Sequence, residues 1–483
     1  MVFNTIEFFI FLTLTFFLFW KVFNKTLVTQ NIFILIISYT FYAFWDWRFL
    51  SLIFLSTVVD FFVGQCIEKS KETSKKKLWL GLSVFFNLGL LGFFKYYNFF
   101  IDSWISMLSV LGYGVKSAWT LKIVLPVGIS FYTFQTMSYS FDVYHKNIKA
   151  TKSFLSFAAF VSFFPQLVAG PIERASNLLS QIATKRIFSY KQSVEGLKLI
   201  LWGLFKKMVI ADALAPIVDD VFANYSSYPA STLILGVVFF SFQIYGDFSG
   251  YSDIAIGTAK LFGIELMSNF KFPYFSRNIA EFWKRWHISL SEWFMYYVYI
   301  PLGGSRKTKW IAIRNISIVF LISGLWHGAN WTFLFWGGLH AVAFIPVFLS
   351  GRNTAYKNSI IGEHSLLPSF RELLNVLMVF TIVALSWIFF RSDTITDAFN
   401  YILRIFLECS FETYMHPKGY RMLDYFLLLA GFIIYEYMIR KDERSPFKFK
   451  SRVVRFLLYT IIVLTILLFY DSGVDRSFIY FQF

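Results

Sequence analysis

Uncharged apolar segments recur along almost the whole chain, and they constrain the fold more than any other feature. A helix needs about 20 such residues to cross the hydrocarbon core of a bilayer. The pattern predicts an all-α polytopic membrane protein with about ten to twelve transmembrane helices, plus re-entrant and interfacial helices where a segment is short. The segments are Phe8 to Trp20, Asn31 to Trp45, Phe49 to Val59, Leu78 to Phe94, Ile123 to Phe141, Ser153 to Ile172, Val221 to Gly246, Asn315 to Ser350, Leu373 to Phe390, Tyr425 to Tyr435 and Phe456 to Tyr470.

Composition excludes a water-soluble enzyme. Hydrophobic residues make up 57% of the 483 residues and charged residues only 15%, whereas a soluble protein carries about 25% charged residues. No soluble-looking block separates the apolar segments. We therefore expect a single integral-membrane domain over residues 1–483.

The basic excess predicts the orientation of the protein in the membrane. Lys and Arg number 45 against 29 Asp and Glu, a net charge of +16. Short basic loops stay in the cytoplasm, so the basic runs at 68–77 and 440–452 are expected there. Residues 173–207 and 260–309 are also basic and predict cytoplasmic amphipathic segments, whose simplest role is contact with acidic membrane lipids. The charge does not imply a nucleic-acid partner.

The stretch from Asn315 to Ser350 contains no Lys, Arg, Asp or Glu and is too long for one crossing. We predict two helices that meet at Gly328, Ala329 and Asn330. His327 stands just before this break, and a neutral imidazole can accept a proton in a dry environment. It is the best candidate base, with a hydrogen-bond bridge between two helices as the alternative.

A second candidate, His287, lies in EFWKRWHISLSEW at 281–293. The sorting of Trp, Lys and Arg predicts an amphipathic helix at the membrane interface, from which His287 could turn inward or simply face the interface. His340 follows His327 too distantly for a metal pair on adjacent turns, and no HExxH spacing occurs. A metal site is not predicted.

The usual signatures of serine hydrolysis, nucleotide hydrolysis and dinucleotide chemistry are absent from the sequence. It contains no GxSxG, no Walker A loop and no GxGxxG after a strand. Group transfer centred on histidine is the chemistry that remains.

Several motifs occur in a fixed order over most of the chain. They are FKYYNFF at 94–100, LPVGISFYTFQTMSY at 125–139, FFPQLVAGPIERA at 163–175, YGDFSGYSDIAIG at 245–257, FWKRWHISLSEW at 282–293, YIPLGG at 299–304 and LWHGANWTFLFWG at 325–337. With these motifs the chain resembles the membrane-bound O-acyltransferase family. The resemblance is to the bacterial branch that contains the alginate O-acetylation membrane protein and a D-alanyl-lipoteichoic acid transferase.

The resemblance implies a family core over about residues 123–350 and two active-site histidines, which fall on His327 and His287. It implies transfer of an acyl group, most simply acetyl from acetyl-CoA, from a cytoplasmic thioester to a hydroxyl acceptor through a tunnel. The acceptor would be a cell-surface polysaccharide or peptidoglycan. An extracytoplasmic acetyltransferase or esterase-like partner would complete the reaction, the protein would lie in the bacterial inner membrane, and no cofactor would be tightly bound.

Further residues are candidates for binding substrate or donor. Lys284 and Arg285 could meet the phosphates of coenzyme A or hold lipid headgroups. Asp247 and Ser249 flank an uncharged stretch, where a carboxylate could equally bond a helix end. The Trp326 indole and backbone amides near Gly328 could bind the oxyanion of the transition state. Asn330, at the predicted break, completes the set.

Other functions remain open at this stage. D-alanyl transfer to teichoic acid would require a carrier protein with a phosphopantetheine arm. A flippase or transporter of a polysaccharide precursor would also use basic loops and broken helices, but two related halves are not evident in the sequence. A membrane scaffold for a secretion complex would tolerate replacement of both His287 and His327.

Overall fold

A computed structural model describes residues 2–114, 120–167, 170–357, 359–363, 365–408, 410–416, 419, 421–470 and 478–479. Within these ranges the regular structure is entirely helical. The predicted all-α polytopic architecture is confirmed. Residues 168 and 169 of the predicted segment Ser153 to Ile172 lie outside the described residues.

Eight described helical segments are long and apolar enough to cross a membrane, which is fewer than the ten to twelve crossings predicted. Some predicted segments join into one helical run, as in Leu27–Lys69, and others fall below 18 residues, as in Ile6–Lys21. The spans are Leu27–Lys69, Thr73–Val110, Ala230–Leu261, Lys309–His327, Trp331–Leu349, Phe370–Arg391, Met422–Ile439 and Arg452–Phe469.

The described chain packs as two compact units. The first comprises Met1–Ser193 and Thr258–Met267. Its helices are α1 (Ile6–Lys21), α2 (Leu27–Asp46), α3 (Leu50–Lys69), α4 (Thr73–Leu91), α5 (Tyr97–Val110), α6 (Ile129–Tyr144), α7 (Phe154–Ser162), α8 (Phe164–Leu167) and α9 (Ala175–Ile182).

A polar cluster ties α3, α4 and α6 together inside the first unit. The buried Asp60 carboxylate accepts hydrogen bonds from Asn87 Nδ2 at 2.6 Å and Ser140 Oγ at 2.7 Å, and from Ser83. A buried carboxylate is stable only when donors surround it. This cluster therefore fixes the three helices against one another.

The second unit comprises Val194–Gly257 and Ser268–Phe483. The single-domain prediction, with its core at 123–350, is not tested by this division and stays a prediction. Most of α10 (Tyr190–Leu204) and of α12 (Ala230–Leu261) lies in this unit. Its other helices are α11 (Asp212–Ala223), α13 (Ile279–Trp283), α14 (Ile288–Phe294), α15 (Lys309–His327), α16 (Trp331–Leu349), α17 (Phe370–Arg391), α18 (Ile395–Leu407), α19 (Met422–Ile439) and α20 (Arg452–Phe469).

The uncharged stretch from Asn315 to Ser350 forms the predicted pair of helices. Helix α15 ends at His327 and α16 begins at Trp331, so the break falls at Gly328, Ala329 and Asn330 as predicted. The Asn330 side chain accepts a hydrogen bond from the Thr332 amide and caps α16. Close packing of small residues between α15 and α16 holds the end of α15 in place.

Candidate active site

His327 is the last residue of α15, and its side chain is buried. Three large aromatic rings surround the imidazole: Trp326 at 5.1 Å, Trp336 at 5.1 Å and Phe390 at 5.4 Å between ring centroids. Trp336 belongs to α16 and Phe390 to α17. Three membrane helices thus build an apolar wall around one ionisable ring.

The predicted amphipathic helix over 281–293 is wrong. The segment forms two short helices, α13 and α14, and His287 lies between them in the left-handed conformation with φ of 43°. Lys271 and Ile288 donate backbone hydrogen bonds to Arg285 and Asn269, at 2.9 Å each, and so pair this turn with residues 269–271. The tryptophans, expected at the interface, are buried, because the turn directs this segment into the protein.

The turn brings His287 to His327. The two ring centroids lie 6.2 Å apart, and Trp326 approaches His287 at 5.6 Å. Phe248 of α12 closes the other side of His287 at 4.6 Å with an edge-on ring. Sequence analysis predicted both histidines as candidates, and the structure brings them together.

Burial lowers the pKa of His287 to about 3. Its side chain is fully buried, and among the described residues neither ring nitrogen has a hydrogen-bond partner. A neutral imidazole carries one N–H donor and one acceptor nitrogen. Such an uncompensated pair of polar atoms in an apolar site is costly unless a ligand or water satisfies it.

Trp326 and Asn330, two of the predicted binding residues, have different surroundings. Trp326 lies beside both histidines, within ring-contact distance of each. Asn330 caps α16, and its Nδ2 donates to the Asp393 carbonyl at 2.9 Å. The Asn330 amide is therefore engaged by the backbone on both sides.

Lys284 and Arg285 lie beside α13 and have protein partners. Arg285 Nη2 pairs with Glu281 Oε1 at 2.8 Å, and its Nη1 donates to the Lys271 carbonyl at 3.1 Å. Lys284 Nζ donates to the Asn353 carbonyl at 2.6 Å and stays exposed. Lys284 remains accessible to a ligand, whereas Arg285 mainly stabilises the turn at His287.

Asp247 and Ser249 lie on α12, where both are buried. Asp247 forms an ion pair with Lys207 at 2.7 Å, and its other oxygen accepts a hydrogen bond from the Ile479 amide at 2.6 Å. Ser249 Oγ has no hydrogen-bond partner within the described ranges. The Asp247 carboxylate is thus engaged within the protein by a lysine side chain and a backbone amide.

Sequence analysis missed a buried pair of lysines. Lys206 pairs with Asp253 at 2.8 Å, and Lys207 pairs with Asp212 at 2.8 Å as well as with Asp247. Both lysines lie on a π-helical turn, Phe205–Ala211. Adjacent lysines inside the apolar sequence GLFKKMVIA were the available signal, because buried lysines require carboxylate partners.

His340, on α16, is held apart from the histidine pair. Its Nε2 lies 3.0 Å from Ser386 Oγ, and Trp336 makes edge-on ring contacts with both His340 and His327. In the part of the chain that the structure describes, no group of three His, Cys, Asp or Glu residues is arranged to hold a metal ion.

Membrane-spanning helices and two buried histidines at helix breaks are typical of an integral-membrane enzyme that catalyses group transfer. The model of the membrane-bound O-acyltransferase family matches residues 41–390. The chain belongs to this family, and it is an acyltransferase.

Two curated relatives cover most of the chain, and a third covers slightly less than half. A probable alginate O-acetylase of Azotobacter vinelandii is 38% identical over 86% of this chain and 81% of its own length. A peptidoglycan O-acetyltransferase of Helicobacter pylori is 36% identical over 78% of this chain and 74% of its own. A teichoic acid D-alanyltransferase of Bacillus subtilis is 29% identical over 45% of this chain and 57% of its own.

Proposed function

We propose that this protein transfers an acetyl group to a hydroxyl of a cell-surface polysaccharide or peptidoglycan. The observation that carries the proposal is the pair of buried imidazoles, His287 and His327, whose ring centroids lie 6.2 Å apart. Polar groups at this separation can both reach one acyl centre, since catalytic hydrogen bonds span about 2.6–3.2 Å.

His327 acts as the general base. As the acceptor oxygen attacks the thioester carbonyl, the C–O bond forms and the hydroxyl proton moves to an imidazole nitrogen of His327. Collapse of the tetrahedral intermediate breaks the C–S bond, and the leaving thiolate takes that proton. Positioned base catalysis of this kind contributes about 100-fold to 10,000-fold to the rate.

His287 stabilises the oxyanion. Because burial keeps its ring neutral, one ring nitrogen carries a proton, and this N–H can donate a hydrogen bond to the negative oxygen of the intermediate. In an apolar site such a donor contributes roughly 3 kcal/mol to transition-state stabilisation. The Trp326 indole, which lies beside both rings, is the next candidate donor.

The donor in this proposal is a cytoplasmic thioester, acetyl-CoA, which no residue holds permanently. The names of the relatives support acetyl transfer: the alginate O-acetylases and the peptidoglycan O-acetyltransferase are more similar to this chain than the D-alanyltransferases are. We place the protein in the bacterial inner membrane, with an extracytoplasmic acetyltransferase or esterase-like partner that completes the transfer.

The test compares two buried histidines in cells that make the protein from a plasmid. His327→Gln should abolish acetylation of surface glycans, measured by mass spectrometry, while His340→Gln should retain it. Membrane content of each variant is measured in parallel. Normal acetylation with His327→Gln would refute the catalytic assignment.

The same spectra distinguish the alternatives. Loss of D-alanine instead of acetyl from the knockout strain would assign the acyl group to the runner-up function. Loss of the glycan itself from the surface, with acetylation unchanged on what remains, would favour a transporter.

A further inference from the structure

A groove opens where α16 ends and α17 begins, apart from the histidine pair. It has a volume of about 580 Å³, and its walls differ in character. One wall is apolar and comes from the membrane helices: Pro346 and Val347 on α16, and Met378 on α17. The other is polar and carries Arg277, Arg352, Tyr356, Arg371 and Glu372.

Arg277 forms the fixed floor of the polar wall. It is buried, its guanidinium lies 4.0 Å from the centre of the Tyr356 ring, and it pairs with Glu281 at 2.9 Å and Glu372 at 3.0 Å. Glu372 also caps the start of α17 through Ser369. Several contacts thus hold Arg277 in place, and its guanidinium already neutralises the carboxylates of Glu281 and Glu372.

The remaining cations of the groove have no such partners. Arg352 and Arg371 are exposed, and their guanidinium groups make no hydrogen bond or ion pair with any residue the structure describes. Lys284 lies nearby, where its Nζ donates to the carbonyl of Asn353, the neighbour of Arg352. The lining therefore carries a net positive charge that a bound anion would relieve.

The apolar side continues along the membrane helices. Pro346 and Met378 are exposed at the groove, and Leu349 and Leu374 are exposed beside it. Both helices qualify as membrane spans. Apolar side chains that stay exposed on such helices face lipid chains, and basic residues at helix ends meet headgroups.

The groove lies at the same end of the second unit as the basic run 440–452. Arg440 Nε donates to the Ile361 carbonyl, and its Nη2 to that of Gly362, each at 2.8 Å, in the loop that joins α16 to α17. Under the positive-inside rule this end faces the cytoplasm.

We propose that this groove binds one anionic phospholipid of the cytoplasmic leaflet. Arg352 and Arg371 contact its phosphate, and its acyl chains follow Pro346 and Met378 along α16 and α17. A soluble phosphate compound such as coenzyme A offers the same charge. It does not account for the exposed apolar wall that leads from the arginines along the spans.

The experiment uses full-length protein in nanodiscs that contain phosphatidylglycerol and phosphatidylcholine, with retained lipid counted by native mass spectrometry. Wild type should retain one phosphatidylglycerol in preference to phosphatidylcholine. The double variant Arg352→Gln/Arg371→Gln should lose this preference at least fivefold. Arg48→Gln/Arg421→Gln removes the same charge from exposed arginines outside the groove and should keep it.

A second variant tests the apolar wall without a change of charge. Met378→Trp fills the groove and should also release the lipid. Unchanged preference in the Arg352→Gln/Arg371→Gln variant would overturn the proposal. So would displacement of phosphatidylglycerol from wild type by coenzyme A, because the site would then belong to a soluble phosphate ligand.

Discussion

His287 and His327 reach the same buried space by different backbone routes. His287 occupies a left-handed turn between two short helices, whereas His327 is the last residue of a 19-residue helix. Neither position allows much movement. The turn at His287 is paired with residues 269–271, and the helix that ends at His327, α15, packs tightly on α16.

The left-handed conformation of His287 restricts what can replace it. Asparagine tolerates positive φ and offers an amide donor, whereas a β-branched residue is strained there. We expect His287→Asn to reach the membrane at wild-type levels and to keep a measurable fraction of its acetylation. His287→Val should lose about 1–2 kcal/mol of stability and all activity. Thermal melting in detergent and glycan acetylation check both. Equal melting temperatures of the two variants would contradict the strain.

The depressed pKa of His287 predicts the pH dependence of activity. With a pKa of about 3, His287 is neutral at every pH where cells grow, so its protonation cannot produce an acid limb between pH 5 and 8. The rate of His287→Asn should therefore change with pH in parallel with wild type. A shifted or missing acid limb in this variant would show that His287 titrates. The burial of His287 also makes the stability of the fold depend on pH. The free energy of unfolding falls as pH drops from 6.5 toward 3, because in this range only the unfolded histidine binds the proton.

Glycines between α15 and α16 determine where His327 stands. A Cβ at Gly324 would overlap the carbonyl oxygen of Phe333, whereas a Cβ at Gly338 would make only an ordinary contact, 3.9 Å from Leu321 Cδ2. Gly324→Ala should force the helices apart, cost about 1–3 kcal/mol and reduce acetylation strongly. Gly338→Ala is the matched control and should behave like wild type. Melting temperature and glycan acetylation are the measurements, and an inert Gly324→Ala would show that the helix spacing is not critical.

The ion pair of Lys207 and Asp247 predicts a stability effect. Lys207→Met leaves the buried Asp247 carboxylate without the Lys207 cation, which should cost about 3–5 kcal/mol. Replacing Asp247 as well, in Lys207→Met/Asp247→Leu, should recover part of the loss. Yield and melting temperature of purified protein measure this. If the double variant is no more stable than Lys207→Met alone, the Lys207–Asp247 pair is not the main source of the cost.

The sequence correctly located the helix break at Gly328, because the signals that predict a break are local. A charge-free stretch too long for one span must contain an interruption, and Gly328 with the capping Asn330 supplies it. The same reasoning placed His327 at that break. The helix predicted over 281–293 failed because the left-handed turn at His287 depends on hydrogen bonds to residues 269–271, which no local pattern reveals.

By itself the sequence determined the membrane architecture, since hydrocarbon forces an apolar chain to satisfy its backbone within helices. His327 was also readable, because an ionisable ring stands out among uncharged residues, and the motif FWKRWHISLSEW pointed to His287. Only the tertiary structure decided their proximity, the pairing of Asp247 with Lys207, and the use of Arg285 to hold a turn. These depend on contacts between distant segments, and the energies of such contacts are set by burial and geometry that no residue carries alone.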